Sequence, residues 1–237
     1  MIVVVAGFCV QLGLSFVIPP LPSLNRNNYD HERDILLQMS SAAEVPTIEE
    51  LSKDPFMKQV SHAQTLVDLL LSETEGQQNE SDLEALLTAQ LSHSDGIRGF
   101  FVTYLTGSDE NDGAMIKVPE VLQKAMAQVD AEELVPLACM NVVMPTGMIT
   151  MHEDPTLSQS SRLTSQRGSR ILECLLEFPL ARDNCQAILS VATDGNDPTC
   201  KNAKSDMVEY WREFFDKWGY KDKQKKDIAT AISNILS

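Results

Sequence analysis

The sequence predicts an all-α protein, a single irregular bundle of about eight or nine helices, with a solenoid-like stack of helical hairpins as the alternative. Three observations carry this. Apolar residues recur at three- and four-residue intervals from Asp54 to the C-terminus, the beat of a helix with one buried face. Capping residues precede several of these runs. Glycine and proline number 11 each in 237 residues, fewer than turn-rich β architectures use.

Residues 1–18 (MIVVVAGFCVQLGLSFVI) carry no charge, and Pro19, Pro20 and Pro22 prevent the run from continuing as helix. Its length is at the short edge of a bilayer span, for which ~20 residues is typical. A membrane anchor presented by Val3, Val4, Val5, Phe8, Leu12, Leu14, Phe16 and Val17, or the core of a targeting peptide, is expected; a buried element of the soluble domain is the third reading. Residues 19–53 form a polar tether with room for one short helix, and residues 54–237 the globular domain.

Within that domain, Asp54 as cap and Pro55 at the first position open a helix whose face is Phe56, Val60, Ala63, Val67 and Leu70, ending near Gly76. Ser81 and Glu84 have capping-box spacing ahead of Leu83, Leu86, Leu87 and Leu91. Gly99–Thr106 has strand-like composition, yet Ile97, Phe100, Phe101, Tyr104 and Leu105 follow the helical template, so a helix capped by Asp95 and stopped by Gly107 is predicted. Residues 108–113 (SDENDG) lack the ligand order of a calcium loop and read as a solvated turn. Val118–Val129 is amphipathic. After Asp130–Glu133 comes a stretch apolar on nearly every side, which belongs at the centre of the fold and which Pro136 and Pro145 should kink or divide unless each begins a new helical turn. A long helix spans about Thr156–Phe178, a shorter one carries Cys185, Ile188, Leu189 and Ala192, and two more bear Met207–Trp218 and Ile228–Ile235.

The formal charge is −15, from 19 basic and 34 acidic residues, which repels phosphate backbones and argues against nucleic-acid binding. Acid is concentrated upstream: residues 29–160 hold 6 basic and 23 acidic side chains, residues 201–237 hold 8 and 6. The five cysteines and four histidines have neither disulfide-framework nor zinc-ligand spacing, so neither metal nor cofactor is expected. No nucleophile elbow, zincin, Walker or dinucleotide motif occurs.

Three constellations remain. Met140, Met144, Met148 and Met151 with His152 offer soft ligands, although methionine in a central helix is first of all core filling. Arg162, Arg167 and Arg170 form the densest arginine run and could clasp a carboxylate or phosphate; the competing reading is pairing with the many acids of the same chain. Trp211, Phe214, Phe215, Trp218 and Tyr220 with neighbouring lysines suit a docked terminal helix or a membrane surface.

The segments GIRGFFVTYLTG (96–107), RLTSQRGSRILECL (162–175) and WGYKDKQKKDIATAI (218–232) resemble a group of uncharacterised all-helical proteins of cyanobacteria and photosynthetic eukaryotes, over about two thirds of the chain. The resemblance implies a helical body and a plastid or photosynthetic-membrane setting; it brings no activity and no site residue. The expected function is a non-enzymatic interaction module, membrane-tethered, with a protein or membrane surface as partner. The alternative is a lipid- or small-ligand-binding domain with a pocket between the 131–152 and 156–178 helices, served by Arg162, Arg167, Arg170 and His152.

Overall fold

Helix α1 (Ile48–Lys53) opens on a complete capping box. The Thr47 hydroxyl accepts from the Glu50 amide at 3.3 Å while the Glu50 carboxylate accepts from the Thr47 amide at 2.8 Å, so each satisfies a donor the first turn leaves open. This fixes α1 with Leu51 fully buried. The computed structural model describes residues 45–71, 80–107 and 117–237, and the chain divides into two units, Met1–Pro46 and Thr47–Ser237, the second of which holds every helix named below. The apolar run 1–18, residues 19–44 of the tether and the SDENDG turn lie outside the described residues. Helix α1 falls within the stretch read as tether.

Helix α2 (Phe56–Leu71) buries Ala63, Leu66 and Val67. Its cap is not Asp54: the Phe56 amide donates to Asp95 Oδ2 at 3.3 Å, while Asp54 closes α1 and pairs with His62. Helix α3 (Glu80–Gln90) begins before Ser81, so the predicted capping residue sits inside its first turn. Helix α4 (Ser94–Leu105) is the segment of contested propensity, and Ile97, Phe100, Phe101, Tyr104 and Leu105 are all buried, as the helical period requires. Its predicted cap, Asp95, is the residue turned instead to α2 and to Arg98. Among the described residues there is no strand.

Helix α5 (Glu120–Ala127) leads to α6 (Ala131–Met148), where Asp130 caps by accepting from the Glu132 amide at 2.9 Å. Of the outcomes expected at Pro136 and Pro145, division does not occur: α6 is one helix through both. Pro136 deprives only the exposed first turn of a hydrogen bond, where water can replace it. Pro145 frees the Asn141 carbonyl, and Gly168 of α7 (Pro155–Cys174) lies against that oxygen so closely that an added Cβ would stand 2.5 Å from it. A buried hydrogen bond of 2.6 Å between the Thr146 and Ser165 hydroxyls joins the same two helices.

Helix α7 ends at Cys174, earlier than predicted, in a 3₁₀ turn (Leu175–Glu177); Pro179 then opens α8 (Pro179–Ala192). After a short 3₁₀ turn (Pro198–Cys200) come α9 (Ser205–Trp218) and α10 (Asp222–Leu236), joined through Gly219, whose φ of 65° suits glycine. Helix α6 is the central element, packed by α7, α8, α10 and α4; α2 pairs with α4, and α3 lies on α5 and α1. Trp211 is buried with its indole N–H donating to Asn184 Oδ1 at 2.9 Å. Tyr220 lays its ring on Gly147, where a Cβ would meet it at 2.6 Å.

Candidate functional site

The arginine run does not present a shared cationic face. Helical geometry puts Arg162 on the exposed side of α7, whereas Arg167 is 2% exposed and Arg170 half-buried. The Arg167 guanidinium donates to the carbonyls of Leu105, at 3.2 Å, and Gly107, at 2.9 Å. These oxygens lie at the end of α4, so a buried cation meets carbonyls for which the helix has no donors of its own. Beside it the Tyr104 hydroxyl is pushed up to about 12 by burial and by Cys174, against the opposing charges of Arg167 and Arg170. His152 is half-buried beyond α6, its amide bonded to the Met148 carbonyl. The methionines separate likewise: Met144 is in the core and Met151 is exposed.

A second titratable cluster links α1 to the body. Gln59, fully buried, donates its amide to the carbonyls of Leu51 (2.9 Å) and Asp54 (3.1 Å), and the His93 ring nitrogen lies 2.9 Å from the Leu51 carbonyl. The Asp54 carboxylate is held below its usual range first by the His62 hydrogen bond, with burial opposing and Lys58 assisting. These groups are spent on fastening the chain.

The break between α7 and α8 opens a cleft of about 470 Å³, walled on one side by Gln123 and Met126 of α5 and on the other by Glu173, Cys174, Glu177 and Phe178. The polar side chains on its walls are the two carboxylates, which accept, and Gln123, which offers an amide oxygen while one of its two N–H groups donates to the Val118 carbonyl at 2.8 Å. Burial, and next to it Glu173, push the Cys174 thiol up, with Lys117 opposing. That thiol is a neutral wall and a poor nucleophile. Composition alone hides this site, because the apolar beat of α7 continues through Leu175 and Leu176 and masks the helix end. The readable signal is the pair Glu173 and Glu177, four apart, just before Phe178–Pro179.

The family described as uncharacterised conserved protein UCP020893 matches residues 56–235. The chain belongs to that family. Its match takes in α2 through nearly all of α10, the cleft and the Arg167 contact included. No curated protein and no solved structure matches the chain. Among the described residues no cluster of three or more His, Cys, Asp or Glu could hold a metal ion, and no helix is long and apolar enough to cross a membrane.

Proposed function

We propose that the protein is a non-enzymatic helical interaction module that docks a basic protein partner on its acidic side. The observation that carries this reading is how the cations of the acidic half are used. Lys124 is shared between Glu80, at 3.3 Å, and Glu120, at 3.1 Å, and Arg98 pairs with Asp95 at 3.2 Å. Exposed carboxylates are left in excess on α3, α5 and the start of α6, with Asp82, Glu132 and Glu133 among them. Such a surface speeds encounter with a positively charged partner and sets its orientation. The rival pocket between α6 and α7 is not favoured, since Gly168 and the Asn141 carbonyl meet where it would lie.

The test compares tagged wild-type protein with a variant carrying D82N, E132Q and E133Q in affinity capture. Basic proteins retained by the wild type and lost by the variant support the reading; the same proteins retained by both contradict it. We infer further, from the resemblance of residues 96–107, 162–175 and 218–232, a cyanobacterial and photosynthetic-eukaryote range for the family and a plastid or photosynthetic-membrane setting, with residues 1–18 as the attachment. Membrane and soluble fractionation checks the setting, recovery in the soluble fraction alone being the contrary result.

A further inference from the structure

A volume of about 470 Å³ places the α5/α7 cleft in the range of sites that hold a small ligand or one deeply inserted side chain. Its walls combine two characters. Met126 and Phe178 supply a polarizable, apolar flank. The same lining carries acceptors: the Glu173 and Glu177 carboxylates and the amide oxygen of Gln123. Cys174 stays protonated and adds no negative charge. A lining that accepts hydrogen bonds and carries negative charge is matched by a group that only donates and is positive, carried on an apolar stem. Among protein side chains that describes lysine and arginine, whose methylene stems cover apolar surface while the head stays polar. Lys117 is the cation of this chain closest in influence, and it is exposed, so a partner's side chain competes with it on the surface.

We propose that this cleft seats one Lys or Arg side chain of a basic partner segment, its stem against Met126 and Phe178 and its head at Glu173 and Glu177. The proposal rests on the acidic-side docking of a basic partner and names the anchor point within it. Because the cleft is formed where α7 gives way to the 3₁₀ turn, the two glutamates are held by backbone that is already folded.

The experiment is calorimetric titration of the full chain, at low salt, with a short peptide of alternating lysine and alanine and with its lysine-acetylated counterpart. The lysine peptide should bind wild type, and the acetylated peptide should not. The E173Q/E177Q variant should bind about tenfold more weakly, while E213Q/D216N, at exposed acids of α9 outside the acidic side, should change affinity by less than about twofold. Bound peptide should also slow maleimide labelling of Cys174, read by mass spectrometry at that residue. Glutamine keeps the size of exposed glutamate, and an unchanged melting temperature confirms folding of each variant. Equal affinity of wild type and E173Q/E177Q, with weaker binding by E132Q/E133Q, overturns the cleft and leaves the acidic-side reading standing. Absence of binding to wild type overturns both.

Discussion

Arg167 shows how one residue type can be legible while its task is not. Three arginines within nine positions of an acidic chain draw the eye as a ligand clasp, yet Arg167 ends on the carbonyls of Leu105 and Gly107, about sixty residues away in sequence. Nothing local in RLTSQRGSR encodes that destination. Removing the guanidinium leaves those carbonyls short of charged donors in a buried site, so R167M should lose about 2 kcal/mol of stability by denaturant titration. Exposed R162M should stay within about 0.5 kcal/mol. Asp54 carries a pH prediction. Its carboxyl is held below the ordinary aspartate range chiefly by His62, so its contribution is present above the unfolded pKa and disappears as pH falls through the lowered folded value. Thermal melts between neutral and strongly acid pH should show a shallower acid decline for D54N than for wild type. Parallel curves for the two proteins would remove this residue from the acid limb.

At the scale of the element, period outweighed propensity. GFFVTYLT has strand-like composition, but only a helix buries Phe100, Phe101, Tyr104 and Leu105 together on neighbouring elements. Caps were less legible: Asp54 and Asp95 each satisfy a different helix from the one their positions advertise, because a cap can be lent across space. Pro145 and Gly168 form a pair no single-helix pattern reveals. The proline leaves the Asn141 carbonyl without its usual amide donor, and the glycine lets α7 approach that oxygen. G168A therefore forces apart the closest crossing of the central helix and should cost about 2 kcal/mol in chemical denaturation. Q166A, on the exposed side of the same helix, should change stability by less than about 0.5 kcal/mol. Equal effects would mean that the crossing is looser than its geometry implies.

For the molecule as a whole, the sequence carries the uneven charge directly, since 23 acids against 6 bases in residues 29–160 needs no coordinates. Folding adds where cations are spent: Lys124 between two glutamates, Arg167 in the interior, Arg98 on Asp95 and over the Phe56 ring at 5.0 Å. It also adds the cleft, which exists only because α7 ends where its apolar pattern does not. Association of a basic partner should weaken steeply with salt, since exposed charges more than ~10 Å apart are screened at about 0.1 M. The most direct measurement is hydrogen exchange of the full chain with and without polylysine at low salt. Slowed exchange in α3, α5 and the α7–α8 junction, with α9 and α10 unchanged, is the predicted result; slowing confined to α9 and α10, or none anywhere, contradicts the acidic side as the docking surface.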